Sequence, residues 1–95
     1  MWFLRRVEGD SMHPSLKQGQ LALFSHSRDY KVGDVVMVYY DGREIVKRID
    51  KYENGSVYLV GDNNEHSTDS RDYGWLVDRH VRGKLLWPKV KKKLQ

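Results

Sequence analysis

Ser11 and Lys47, 36 positions apart, are the two residues of this chain whose types and settings could do chemistry together. Ser11 lies in Glu8-Gly9-Asp10-Ser11-Met12-His13-Pro14, and Lys47 lies in Glu44-Ile45-Val46-Lys47-Arg48-Ile49. A serine hydroxyl is a weak nucleophile until a base takes its proton. A lysine amine serves as that base near neutral pH only when desolvation disfavours its ammonium form. Together they are the parts of a Ser/Lys hydrolase. Each also has a plainer reading. Serine in a Gly-Asp-Ser segment is commonly a turn residue, although Gly9 leaves room for a substrate backbone and Pro14 stiffens the segment, biasing His13 toward an extended shape.

Lys47 is placed by the strands around it. Asp41-Gly42 between two β-rich runs signals a two-residue hairpin, whose central positions both need positive φ. That turn pairs Tyr40 with Arg43, Val38 with Ile45 and Val36 with Lys47. Side chains alternate along a strand, so Val36, Val38, Tyr40, Ile45, Lys47 and Ile49 share one face, while Val46, Arg48 and Asp50 share the other. Lys47 is the single charge in the middle of an apolar face. Periodicity leaves two outcomes open: a buried amine, or a lysine near the sheet edge whose ammonium snorkels to water.

The elements that position these residues read as mostly β. Arg5 to Glu8 reads as a short strand entering the serine turn, and Leu21-Ala22-Leu23-Phe24 is a compact apolar run. Val35 to Tyr40 is apolar on both faces, which predicts a central strand. Arg43 to Asp50 is its hairpin partner, and Glu53-Asn54-Gly55 turns the chain into a further strand, Ser56 to Val60. Residues 61–74 are polar and rich in Asp, Asn, Ser and Gly, the composition of a long loop of the kind that carries function. Val77 to Val81 fits either one helical turn or an approach to a strand. Gly83 to Trp87 predicts the last strand, stopped by Pro88.

Length and composition set the outer bounds. Ninety-five residues fit one domain, expected over 1–88 with a basic tail at 89–95. There is no cysteine, which excludes disulfides, a thiolate nucleophile and cysteine zinc ligands. Lys89, Lys91, Lys92 and Lys93 account for the whole formal charge of +4, so the body is neutral. This weighs against a nucleic-acid partner and favours a solvated tail, with contact to an anionic membrane permitted but not required. No run approaches the ~20 apolar residues of a membrane span. The chain is therefore expected to be cytoplasmic if complete, and membrane-associated if an N-terminal anchor has been removed. His13, His26, His66 and His80 lack ligand spacing, so neither a metal nor a cofactor is expected. Trp2, Trp75 and Trp87 are expected to pack in the core, with a membrane-facing or substrate-facing placement as the alternative.

Four segments, taken in order, resemble the conserved boxes of type I signal peptidases and their relatives. Gly9 to Leu16 is similar to the Ser-Met-x-Pro-Thr-Leu box, Gly33-Asp34-Val35-Val36 to the next, and Val46-Lys47-Arg48-Ile49 to the lysine box. Gly61-Asp62-Asn63 with Ser67-Thr68-Asp69-Ser70-Arg71-Asp72-Tyr73-Gly74 resembles the last. Within the family, the short length and the closing strand near Trp87-Pro88 are most similar to the soluble nickel-type superoxide dismutase maturation proteases.

The resemblance implies a mainly β single domain, the catalytic β core that these enzymes share with self-cleaving repressors. It implies Ser11 as acylating nucleophile, Lys47 as general base and the Ser11 backbone N–H as an oxyanion donor. Ser67 would orient the lysine, Asp69 and Arg71 would form a structural ion pair with Arg48 beside it, and Met12 would shape the cleft wall. The implied function is a serine endopeptidase that removes a leader or propeptide from a precursor bound in extended form, with nickel superoxide dismutase as one candidate precursor. Two departures stand out: Gly9 occupies a position where many members carry a serine whose hydroxyl adds a second oxyanion donor, and Gln20 replaces a usual aspartate, with a structural effect expected. Rival readings are the catalytic domain of an anchored signal peptidase without its anchor, a self-cleaving repressor fragment, and an inactive binding module of the same fold.

Overall fold

The computed structural model describes residues 1–63 and 74–91. Among the described residues, seven strands form one sheet: β1 (Trp2–Arg6), β2 (Leu21–Ser25), β3 (Val35–Tyr40), β4 (Arg43–Glu53), β5 (Ser56–Val60), β6 (Leu76–Val77) and β7 (Val81–Trp87). They lie in the order β1-β2-β7-β3-β4-β5-β6, and every neighbouring pair is antiparallel. A 3-10 turn at Asp78–His80 joins β6 to β7. The domain is mainly β, and no α-helix occurs among the described residues.

The hairpin forms as its turn chemistry dictates. Asp41 and Gly42 both adopt positive φ, at 52° and 77°, the geometry that matches the twist of the flanking strands. Tyr40 pairs with Arg43, Val38 with Ile45 and Val36 with Lys47. β3 is the middle strand of the sheet, and its apolar run is explained by burial on both faces. Val36 and Val38 join Ile49, Val57, Leu59 and Val81 in one cluster. Val35 and Met37 join Val7, Met12, Leu16 and Phe24 in the other. Each methylene so buried contributes roughly 0.8 kcal/mol, so these two clusters are the main cohesive force of a chain with no cross-links.

The sheet is strongly curled. Laid flat, β1 and β4 would stand four strand spacings apart, about 19 Å. Instead Arg5 on β1 donates to Glu44 on β4, with Nε–Oε1 at 2.9 Å. Curling carries the outer edge of β1 toward the β3–β4 hairpin and leaves a trough between them.

Three expectations need correction. β1 spans Trp2–Arg6 rather than starting at Arg5. The pairing does continue past it, since Val7 donates to the Gln20 carbonyl and Gly19 donates to the Val7 carbonyl, both at 2.8 Å. β4 runs on to Glu53, past Asp50, because a bulge between Ile49 and Lys51 absorbs the irregularity and pairing with β5 resumes. The tryptophans do not pack in the core: Trp2 is 66% exposed, Trp87 55% and Trp75 42%. Alternation turns Phe3 inward onto Phe24 and so turns Trp2 outward. Trp87 pairs across from Leu23 on the same outer side, and Trp75 packs edge-on against Tyr58, with ring centroids 5.4 Å apart.

Candidate active site

The trough is a groove of about 920 Å³. Its walls come from β1 and the chain leaving it (Arg5 to Gly9), from the serine turn (Ser11, Met12) and from the first half of β4 (Arg43 to Lys47), with Phe24 and Met37 also lining it. Ser11 and Lys47 therefore face one shared space, although they come from opposite sides of it. The groove also carries charged groups, Arg5, Arg6 and Arg43 against Glu8 and Glu44, together with Tyr39 and Tyr40.

Lys47 is buried, at 4% exposure, which decides between the two placements that periodicity left open. It sits opposite Val36, as the alternation predicts, and contributes to the groove wall at the same time. Its neighbour Arg48 points to the other face and is buried as well. There Arg48 makes a two-pronged ion pair with Asp62, Nε–Oδ1 2.8 Å and Nη2–Oδ2 2.7 Å, and donates a third hydrogen bond to the Gly33 carbonyl at 2.7 Å. The side chains of the pair are 3% and 1% exposed. A buried guanidinium is tolerable only when paired and hydrogen-bonded in this way.

Asp62 does more than neutralise Arg48. It accepts from the Ser15 hydroxyl at 2.5 Å, on the far side of the serine turn. The next residue, Asn63, donates its backbone N–H to the Ser11 carbonyl at 2.8 Å and its side-chain amide to the Asp10 carbonyl at 3.1 Å. The short segment after β5 thus staples the serine turn to the strand that carries Lys47. One continuous network holds nucleophile candidate and base candidate in a fixed relation, which is the preorganisation such chemistry needs.

The turn has its own local logic. Gly9 adopts φ 77°, and a Cβ built there meets nothing within 4 Å, so backbone conformation and not crowding calls for glycine. The open space above it is room for a substrate main chain. His13 N–H bonds to the Asp10 carbonyl and Leu16 N–H to the Met12 carbonyl, at 3.1 and 3.0 Å, and Met12 and Leu16 anchor the turn in the smaller cluster. Met12 is buried and lines the groove. Gln20 accepts the Lys17 N–H at 3.0 Å, a cap within the turn, which fits a structural effect of its replacing aspartate.

Asp34 of the second box accepts the Lys31 N–H at 2.9 Å, and its carbonyl accepts from Ile49 N–H at 2.9 Å. That box fastens the start of β3 to β4 just beyond Lys47. Ser67, Asp69 and Arg71 lie outside the described residues. Arg48 does take part in a structural ion pair, and its partner among the described residues is Asp62. Asp62, Asn63 and Ser15 are the site residues to which sequence reasoning gave no role. Their signal was present as Gly-Asp-Asn immediately after a strand, but only the fold reveals that this segment reaches back to residues 10–15.

Two main-chain edges flank the groove. β1 ends the sheet among the described residues, and β4 pairs with β5 only from Arg48 onward, so among the described residues Arg43–Val46 are laddered with β3 alone. The two edge segments run in the same sense, because three antiparallel neighbours separate them in the sheet. Among the described residues no group of three or more His, Asp or Glu side chains is disposed to hold a metal ion, and no helix is long and apolar enough to cross a membrane.

This fold and groove accord with comparison to known families. The Peptidase S24-like family model matches residues 1–84; the chain belongs to that family. A peptidase-type or self-cleaving domain is the class it defines. Comparison with curated proteins found no match.

Proposed function

We propose that this protein is a serine endopeptidase with a Ser11/Lys47 dyad that removes an N-terminal leader or propeptide from a precursor protein. The observation that carries the reading is the shared groove: a turn serine and a buried lysine face one space bounded by two main-chain edges. The precursor segment lies extended in the groove and adds main-chain hydrogen bonds to β1, to the Arg43–Val46 part of β4, or to both. Because the two edges run in the same sense, the peptide is parallel to both or antiparallel to both.

Lys47, as the neutral amine that its burial favours, takes the Ser11 proton. Ser11 Oγ attacks the scissile carbonyl, and the oxyanion is met by the Ser11 backbone N–H. The protonated lysine gives its proton to the leaving amine, and a water activated by Lys47 then hydrolyses the acyl-enzyme. Met12 shapes the wall beside the reacting residues. Ser67 is assigned the role of orienting the lysine, on the box resemblance alone. The same resemblance makes the precursor of a nickel-containing superoxide dismutase the first substrate to try.

The test is incubation with candidate precursors, nickel superoxide dismutase precursor among them, read by intact mass. Wild type is expected to release an N-terminal fragment, and Ser11→Ala to release none. Equal cleavage by both variants would remove Ser11 from the mechanism. A loss of mass from the enzyme itself, with the precursor intact, would replace this reading with self-cleavage.

A further inference from the structure

We infer that the outer face of β1, β2 and β7 is a docking surface for a bilayer with anionic headgroups. Alternation along β1 places Trp2 and Leu4 on the side away from Phe3 and Arg5, and the register carries that side across the sheet: Leu4 lies opposite Leu23, and Leu23 opposite Trp87. Leu21 extends the row by one alternation. Trp2, Leu4, Leu21 and Trp87 are all more than 40% exposed, and they form one continuous apolar surface on three adjacent strands. Scattered exposed leucines need no explanation, but a contiguous patch of this kind marks an interaction site.

Charge decides the occupant. Arg6 stands at the margin between this face and the groove, opposite Leu21, and is exposed while donating to the Gly19 carbonyl. Lys89 and Lys91 follow directly on Trp87 and are exposed. The nearby carboxylates, Asp29 and Asp34, are engaged by Lys84 at 3.5 and 3.7 Å. A second copy of the chain would bring these cations against their own kind. An anionic headgroup layer meets them with opposite charge, and tryptophan with leucine is the side-chain pair that partitions into the boundary below the headgroups. Apolar insertion and basic attraction together supply the two signals that stable surface binding takes. None of Trp2, Leu4, Leu21 and Trp87 lines the groove, so a docked molecule leaves it open to water.

Co-sedimentation with vesicles tests this directly, using phosphatidylglycerol mixed with phosphatidylcholine against phosphatidylcholine alone at low salt. The wild-type chain is expected to pellet with the anionic vesicles and to be released by salt. Trp2→Ser with Trp87→Ser should weaken binding at least about ten-fold, and Leu4→Ser with Leu21→Ser serves if the first pair does not fold. Lys89→Ala with Lys91→Ala should weaken anionic binding on the order of thirty-fold and leave the phosphatidylcholine result unchanged. The inference falls if the wild type stays in the supernatant, or if a folded tryptophan or leucine pair variant binds as tightly as wild type. It falls equally if the wild type elutes as a dimer that these substitutions dissociate.

Discussion

At the scale of single residues, Gly9 is a constraint as much as an opening. Its φ of 77° lies where a side chain costs roughly 1–2 kcal/mol. Gly9→Ser therefore should not simply restore a second oxyanion hydroxyl. It should lower stability by about 1–2 kcal/mol, measured by urea unfolding, even though the added Cβ has space. Lys47 differs in kind, because its environment is set by a whole strand. Lys47→Met keeps the packing volume and removes the proposed base, so it should retain the unfolding midpoint within a few degrees while cutting the proposed precursor cleavage by at least about a thousand-fold. A variant that still cleaved at the wild-type rate would remove Lys47 from the dyad.

At the scale of elements, the segment after β5 carries the greatest leverage. Asp62 binds Arg48 on β4 and Ser15 in the serine turn. Arg48→Met leaves a buried carboxylate without its guanidinium, and losses from such a break run to about 3–5 kcal/mol. Chemical denaturation should show that loss, and Arg48→Met with Asp62→Leu should recover part of it because no unpaired charge remains. The β4–β6 end has its own pH signature. The Tyr52 hydroxyl donates to Asp78 at 2.7 Å; that bond, and burial after it, raise the Tyr52 pKa well above its ordinary value. A raised folded-state pKa means stability is intact below the unfolded value near ~10 and falls as pH rises beyond it. Thermal melts above pH ~10 should show this decline, and Tyr52→Phe should flatten it. The β3–β4–β5 meander was legible in the sequence because Asp41-Gly42 and Asn54-Gly55 are local signals and the apolar alternation fixes register. The pairings that build the groove were not. β2 with β7 and β7 with β3 join residues some 40 to 60 positions apart, and no local pattern encodes them. The outward tryptophans were misjudged for a related reason: residue type predicts burial on average, whereas neighbours in the sheet decide which side of a strand is covered.

At the scale of the whole molecule, the curl of the sheet makes the groove, and Gly83 on β7 is closely hemmed in by β1 and β2. A Cβ there would lie 2.8 Å from Phe3 Cζ and 2.8 Å from the Ser25 carbonyl oxygen. The ring can turn aside, but the carbonyl is part of the β2 main chain. Gly83→Ala should cost about 1–3 kcal/mol, and Phe3→Leu should fail to restore it. Full restoration would mean that the ring alone had set the limit. By contrast, the Arg5–Glu44 bridge across the trough is half exposed, and pairs of that kind contribute little, about 0–1 kcal/mol. Glu44→Gln should barely move the melting temperature.

Lys47 and Arg48 are consecutive cations on opposite faces of one strand, one beside the serine turn's groove and one in the clasp with Asp62. A slip of β4 by one residue would exchange them. A guanidinium that never gives up its proton would stand where the proposed dyad calls for an amine, and the lysine would meet Asp62 with one prong instead of two. The misthreaded chain would thus lose its chemistry and its fastening in the same event. If Ser11 and Lys47 form the proposed dyad, cleavage then depends on how β4 is threaded as well as on the two residues themselves.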